Sequence, residues 1–342
     1  MATKIRDIAR HLNLSVSTVS YALNNGPRPV APEVRQRVLD AAKEMDYRPN
    51  RIAKSLSAKR SGIVGFVPAR PNDFALLIPY TQNILNGIMI GCEELHYDFM
   101  VFAQHGRMPH SEFVDLLTDG RVDGLIFSGD PLLDPVREAC VRRRTPFVTL
   151  SGTATDDPFM LRVDNAMGIR QMVEHMVDLG HTKIGAMVGD DYIPDIVTRC
   201  DVLLSELRSR GLMPPEEWIG RSGLSPVKAQ KSATEILSRK DRPTALVCLT
   251  DEIAIGAMRA AYHLRLHVPD DLSVIGFDDF VHAEATNPPL TTIRQPAGRM
   301  GRDAVAMLLD HINSRPVEPS KPYATQLIVR DSTSAPKKEL NP

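Results

Sequence analysis

The chain has 342 residues with 41 lysines and arginines against 42 acids, a length that exceeds what one hydrophobic core organises and points to two or three globular domains. The near-zero balance hides a polarity: residues 1–60 hold 12 basic against 5 acidic side chains, a net +7, which leaves 29 against 37, a net −8, for the rest. Such asymmetry points to a polyanionic partner for the basic end, nucleic acid first among them, and the rival of a solvated basic tail is opposed by the periodic apolar residues there.

"MATKIRDIAR" carries charges where a secretory signal needs its apolar stretch, and no run of 18 apolar residues follows, so the chain is expected neither to be exported nor to span a membrane. Cys92, Cys140, Cys200 and Cys248 are scattered and form no CxxC or Cys/His cluster. They read as reduced, buried thiols of a cytoplasmic protein.

In chain order, Ile5, Ile8, Ala9 and Leu12 make one helical stripe, broken at Asn13-Leu14-Ser15, with Ser15 placed to cap the next helix. In "SVSTVSYALNNG" the apolar Val19, Ala22 and Leu23 sit three and four apart and face a core, while Val16, Ser17, Ser20 and Tyr21 point elsewhere. After "NNGPRP", Pro32 opens a third helix whose stripe is Val34, Val38, Ala41, Ala42 and Met45. Three short helices in under fifty residues predict one small bundle. "YRPNRIAKSLSAKR" follows, with too few apolar residues to hold a helix by itself.

From Gly62 the texture changes. The β-branched runs "GIVGFV", "GLIFSG", "FVTL", "KIGAMVG", "TALVCL" and "SVIGFDD" alternate with helical stretches at 84–95, 166–179, 225–238 and 252–264. Such alternation predicts parallel sheets covered by helices on both faces, divided into two α/β subdomains with a ligand cleft between them. The tail "STSAPKKELNP" is polar and lacks heptads, so no C-terminal coiled coil is expected.

The blocks "IRDIARHLNLSVSTVSYALNN", "RQRVLDAAKEMDYRPNRIAKSL", "HTKIGAMVG", "DEIAIGA", "VPDDLSVIGFDD" and "PPLTTIRQP" resemble, in order and spacing, the lac repressor type of bacterial transcription regulator (the LacI/GalR family). The resemblance runs from Lys4 to about Arg330. It implies an α plus α/β chain: a helix-turn-helix headpiece at 1–48, a hinge helix at 49–61, and a core at 62–342 similar to periplasmic sugar-binding proteins. Within that core one subdomain would take about 62–160 plus 291–320, and the other about 161–290 plus 321–335.

The resemblance gives the hydroxyl-rich second helix an owner. In a helix-turn-helix that helix enters the major groove, where short residues let the backbone approach and hydroxyls reach phosphates or base edges. By resemblance Val16, Ser17 and Tyr21 read bases, and Thr18, Ser20 and Asn24 contact the DNA backbone. Many relatives carry Arg or His at the Tyr21 position, and tyrosine cannot make the two-pronged contact of Arg to guanine. Leu56 matches the family leucine that wedges into the minor groove at the operator centre, with Ala53 beside it and Lys54 near phosphate. The implied partners are a palindromic double-stranded operator, a second copy of the chain forming a homodimer, and a small-molecule effector.

For the effector, Asp278 ends the run "SVIGFDD", at the C-terminal end of a strand where open α/β sheets bind ligands. Arg199 stands ten residues after Gly189, the family spacing for an arginine facing the effector. A carboxylate and a guanidinium bracket vicinal hydroxyls, one accepting and the other donating in a fork, so a sugar or sugar derivative is expected, with a purine-type corepressor as the alternative. Asp279 reads as a cap or surface acid. Leu224 stands where relatives often carry a stacking aromatic, and Thr250 replaces a frequent asparagine. Tyr80 or Phe74, on the long loop "NDFALLIPYT", is the candidate for the missing aromatic face.

No GxGxxG follows the first strand, and no GxxxxGK[ST], GxSxG or HExxH occurs; His175 and His181 lack the i, i+4 spacing of a helical metal pair. The expectation is a regulator with no catalytic residues, no metal and no cofactor. A solute-binding protein is the rival reading, opposed by the basic headpiece.

Overall fold

The structure is a computed structural model that describes residues 3–24, 28–47, 60–68, 78–102, 109–129, 134–152, 157–189 and 193–337. The chain divides into two units, Met1–Ser61 and Gly62–Pro342. In the first, helices α1 (Ile5–Leu12), α2 (Val16–Asn24) and α3 (Pro32–Glu44) enclose a core of Ile8, Ala9, Val19, Ala22, Val38, Ala41 and Ala42. Asn13 at φ 52° closes α1 in the left-handed conformation that asparagine tolerates, and the Ser15 hydroxyl accepts from the Thr18 N–H at 3.0 Å, the expected cap of α2. The expected hinge, with Ala53, Lys54 and Leu56, lies outside the described residues, as does Phe74.

The second unit holds two sheets. The first has the order β2-β1-β3-β4-β5, all parallel, from β1 (Ile63–Val67), β2 (Asp98–Val101), β3 (Gly124–Ser128), β4 (Phe147–Leu150) and β5 (Met160–Leu161). The second has the order β11-β10-β9-β8-β6-β7, from β6 (Ile184–Val188), β7 (Ile219–Arg221), β8 (Ala245–Cys248), β9 (Ser273–Asp278), β10 (Thr291–Arg294) and β11 (Gln326–Ile328), with only β11 antiparallel. Strands this deeply buried read as unbroken apolar runs because both faces are covered.

Helices α4 (Pro79–Glu94) and α12 (Ala297–Ile312) cover one face of the first sheet with Ile84, Ile88, Met300, Ala304 and Leu308, and α5 (His110–Leu117) and α6 (Asp134–Arg143) cover the other with Phe113, Leu117, Val136 and Cys140. Around the second sheet, α7 (Asn165–Asp178) and α8 (Pro194–Ser209) pack on one face, and α9 (Pro226–Leu237) with α10 (Asp251–His263) on the other, and the short α11 (Val281–Glu284) follows β9. Among the described residues no helix is long and apolar enough to cross a membrane.

Residues 291–294 correct the expected boundary. They were expected in the first subdomain, but β10 pairs with β9 from Thr291↔Ile275 to Arg294↔Asp278, so the chain passes to the first subdomain only after Arg294. A second passage is fixed by the parallel bridge Val163↔Tyr323, reinforced where the Tyr323 hydroxyl donates to Asp303 on α12 at 2.7 Å. The C-terminal residues are sewn onto the second sheet. Ser332 donates its hydroxyl to the Val274 carbonyl at 2.6 Å and accepts from the Thr291 N–H at 2.8 Å, and the buried His181 ring bridges Thr244, Ser273 and the Ser334 carbonyl.

Helices α4 and α12 meet backbone to backbone: a Cβ on Gly87 would lie 1.9 Å from the Gly298 carbonyl oxygen, and one on Gly301 would lie 2.2 Å from that of Ile84. An exposed helical Gly→Ala substitution normally stabilises by about 0.5–1 kcal/mol. Gly87→Ala is expected to reverse that sign and lose about 1–3 kcal/mol, because backbone atoms must move apart. Urea denaturation checks it, and a variant as stable as the parent would remove the close approach as a constraint.

Candidate functional site

On α2, Val16, Ser17, Ser20, Tyr21 and Asn24 share the face opposite the buried Val19 and Ala22. Val16, Ser17 and Asn24 are exposed, and Thr18, Ser20 and Tyr21 are half-buried. The hydroxyls are already ordered. Ser15 Oγ lies 2.8 Å from Ser17 Oγ and 2.7 Å from Thr18 Oγ1, and Asn24 Nδ2 donates to the Ser20 carbonyl at 3.1 Å. A short, polar and pre-ordered surface of this kind lets a helix backbone come close to a groove floor, with side-chain donors and acceptors at its rim. The six residues expected to contact DNA therefore lie on one side of one helix, except Thr18, which sits at its edge beside the cap.

In the second unit the structure brings Arg199 and Asp278 together. Arg199 projects from α8 and is 4% exposed. Its Nε donates to Asn165 Oδ1 at 2.8 Å, and its Nη1 to the Leu249 carbonyl at 2.9 Å and to Asp278 Oδ1 at 3.4 Å. The guanidinium carbon stands 3.7 Å from the centre of the Phe277 ring, a desolvated cation–π contact that also fixes the plane of the fork. Asn165 in turn donates to Asp195 Oδ1 at 2.8 Å.

Asp278 ends β9 with φ at 135° and Asp279 follows at 55°; two successive residues in sparsely populated backbone conformations mark a strained site. The strain turns the two carboxylates to different partners. Asp278 faces Arg199 and also accepts from Gln295 Nε2. Asp279 accepts from Arg294 Nε at 2.6 Å and Arg330 Nη2 at 2.7 Å, and its side chain is 5% exposed. That corrects its expected role: two arginines bury it as a staple between β9, β10 and the chain after β11, so it is neither a surface acid nor a helix cap. Burial pushes the Asp278 carboxyl well above its ordinary range; Arg199 opposes the rise, and the neighbouring Glu252 and Asp251 add to it.

The remaining expected residues lie close by with different roles. Tyr80 stands in the first turn of α4, not on a loop as expected, because Pro79 opens that helix. Its hydroxyl lies 3.4 Å from Ser151 Oγ, and burial lifts its pKa, with Asp195, Arg199 and Asp278 all close enough to act on it. Thr250 caps α10, its hydroxyl accepting from the Ile253 N–H at 3.3 Å. Leu224, partly buried, packs against the cores on both faces of the second sheet.

Sequence reasoning missed Asn165, Asp195, Gln295, Ser151 and the acid pair Asp251–Glu252. Only the last carried a usable signal, as consecutive acids at a helix start. Asp251 is fully buried: Oδ1 accepts from the Thr292 hydroxyl at 2.5 Å and Oδ2 from the Phe280 N–H at 3.2 Å. Gly276 makes room for it, since a Cβ there would lie 2.3 Å from Oδ1. Asp251 thereby ties α10 to β10 and to the loop that carries Asp278. Among the described residues no group of three His, Cys, Asp or Glu side chains could hold a metal ion.

Comparison with known proteins agrees with this architecture. Residues 4–50 match the family of bacterial regulatory proteins, lacI family, and residues 173–333 match the periplasmic binding protein-like domain. The HTH-type transcriptional repressor PurR of Yersinia pestis (strain Pestoides F) is 33% identical over 326 residues, 93% of each chain. The crystal structure of the lac repressor dimer bound to operator and the anti-inducer ONPF superposes with a TM-score of 0.87 at 27% identity, covering 98% of this chain and 100% of that one. The complex of the transcriptional regulator CelR with cellobiose superposes at 0.72 with 25% identity, over 96% and 99% of the two chains. The chain belongs to the lacI family of bacterial regulatory proteins. It is a DNA-binding transcriptional regulator with an effector-binding core, and its relatives are regulators, not enzymes.

Burial raises the Asp251 carboxyl to about 7 from an unfolded value of 3.8, aided by Glu252 and Asp279 against the hydrogen bonds from Thr292 and Phe280. An acid whose folded pKa is raised contributes its full stability below the unfolded value and loses it as pH climbs through the folded one. Stability should therefore decline between about pH 4 and pH 7, and Asp251→Asn, which keeps the shape and one acceptor, should flatten that decline. Urea midpoints across this range test it; an unchanged slope in the variant would show that Asp251 does not titrate there.

Proposed function

We propose that the protein is a homodimeric, cytoplasmic repressor of carbohydrate-metabolism genes. It reads a palindromic operator with Val16, Ser17 and Tyr21, and its operator affinity is set by a sugar or sugar derivative held at Arg199 and Asp278. The observation that carries the effector reading is the buried fork: one carboxylate acceptor and one guanidinium donor, 3.4 Å apart, at the C-terminal end of a parallel strand. Thr250, Leu224 and Tyr80 complete the candidate site. Identity to PurR supports a second reading, a purine-type corepressor at the same place.

Dimerisation has support in apolar side chains left exposed: Met89 and Ile90 on α4 and Val101 on the edge strand β2, with Val227, Tyr262 and Val281 in the other subdomain. A two-fold assembly presents two headpieces to the two half-sites of an inverted repeat. An assembly made through these core faces should be a dimer, and sedimentation equilibrium tests it against a tetramer.

Footprinting should find a protected inverted repeat, and affinity should fall by ~10³ or more between about 50 and 200 mM salt if about six phosphates are engaged. Leu56→Ala should weaken specific binding while sparing the phosphate-driven, non-specific component; equal loss of both would assign the leucine to folding. A thermal-shift screen of metabolites on the full chain should yield a ligand whose stabilisation, ~3 kcal/mol in large excess, disappears in Asp278→Ala and Arg199→Ala. A hit indifferent to both substitutions would remove the site assignment, and a purine hit that needs both would keep the site and replace the sugar.

A further inference from the structure

The chain passes from its first unit to its second between Ser61 and Gly62, so whatever fixes the backbone at Gly62 fixes where the DNA-binding part is tethered to the core. Gly62 is held on both sides, one residue before β1 begins. Its N–H donates to Asp123 Oδ2 at 2.9 Å, and its carbonyl accepts from the Asp98 N–H at 2.8 Å. Asp123 is itself fixed, because its own N–H donates to the Ile63 carbonyl at 2.9 Å. The carboxylate and the N–H of one residue thus grip two consecutive residues of the incoming chain. This clip carries the hold of β3 on β1 beyond their first register pair, Val64↔Gly124.

The clip lies at the N-terminal edge of a parallel sheet, opposite the edge at which open α/β sheets bind ligands. Gly62 has φ at 70°, and a Cβ there would meet no atom within 4 Å. The position is open in space and restricted only in backbone conformation, to a region that glycine and asparagine adopt and β-branched residues avoid. A left-handed residue turns the chain sharply, and the half-buried Asp123 holds that turn in place.

We propose that Asp123 is a positioning residue for operator binding. With Gly62 in its left-handed conformation, it fixes the direction in which residues 49–61 leave the core, and through them the separation and orientation of the two headpieces of the dimer. This rests on the operator and homodimer reading above and is independent of the effector's identity. On a palindromic site the second headpiece binds as an intramolecular event, with an effective concentration set by the stiffness and reach of its tether. A joint free to rotate spreads that headpiece over orientations the half-sites do not offer. On unrelated duplex, phosphates are available in any register, so the same freedom costs little.

The test titrates full-length variants against the operator found by footprinting and against a duplex of unrelated sequence. Asp123→Ala should bind the operator ~10-fold more weakly, the order expected from releasing about one residue's backbone at the joint, while its affinity for the unrelated duplex stays near the parent's. Asp123→Asn keeps a side-chain acceptor for the Gly62 N–H and should restore operator affinity. Gly62→Asn should match the parent, and Gly62→Val, which meets the same open space, should reproduce the loss. The loosened chains should also discriminate less against an operator with extra base pairs between its half-sites, a property that impaired folding alone would leave unmoved.

Equal operator affinity in the parent, Asp123→Ala and Gly62→Val overturns the proposal and spares the operator reading. Equal loss on both duplexes overturns it too, and assigns Asp123 to folding. A parent chain that protects no inverted repeat removes the operator reading and this proposal together.

Discussion

A guanidinium taken out of water is tolerated only where its hydrogen-bond donors are met and a counter-charge is present, and much of the core's second subdomain is arranged around that requirement at Arg199. Its partners come from the start of α7 (Asn165), the residue after β8 (Leu249) and the end of β9 (Asp278), and Phe277 supplies the surface on which the plane rests. Three segments far apart in sequence are thereby fixed at the carboxyl edge of one sheet. Removing either charge would strand the other in a site with few exits to water. The buried pair is therefore better understood as a device for geometry than as a source of stability.

The strain at Asp278 and Asp279 follows from the same requirement. A strand that simply continued would place successive side chains on opposite faces of the sheet. Positive φ at both residues instead lets one carboxylate meet Arg199 while the next is gripped by Arg294 and Arg330. Asp251, bonded to the Phe280 N–H and the Thr292 hydroxyl, braces the far side of that turn. The turn is held from three directions, which is what a costly backbone conformation needs to persist.

Much of this was legible in the sequence because the period of apolar residues is a local property. The stripe Ile5, Ile8, Ala9, Leu12 and the run "SVIGFDD" form the expected helix and strand. Helices α7, α9 and α10 begin and end within a residue or two of the expected stretches, and α4 ends so but is opened by Pro79 ahead of the apolar pattern, whereas α8 and α12 match no expected stretch. The strands that escaped notice, β2, β5, β7, β10 and β11, are two to four residues long, and at that length only an unbroken apolar, β-branched run such as β4 or β8 stands out. Asn165, Gln295 and Asp195 escaped for a different reason. Each acts only through a partner at least 17 residues distant, and nothing in a polar residue's neighbours announces such a contact. The boundary near residue 291 failed likewise, since pairing of β10 with β9 is a tertiary fact.

The division of the site between two subdomains bears on how a ligand could regulate anything. A molecule that touches only Arg199 and Asp278 meets one rigid body and binds every conformation of the core equally, and equal affinity shifts no equilibrium. Tyr80 and Ser151 belong to the other subdomain, linked to each other by a long 3.4 Å contact and lying within the electric field of Asp195, Arg199 and Asp278. A ligand that also engages these hydroxyls changes its contacts whenever the two subdomains move about the strands that join them. Those strands are constrained at Val163↔Tyr323 and by the Tyr323–Asp303 bond, and α4, which carries Tyr80, is locked to α12 through Gly87 and Gly301. Movement of Tyr80 relative to Arg199 is therefore carried by the whole first subdomain. If the effector sits at Arg199 and Asp278 as proposed, those contacts alone would switch nothing, and the differential affinity would have to come from the first subdomain, where Tyr80 and Ser151 offer their hydroxyls.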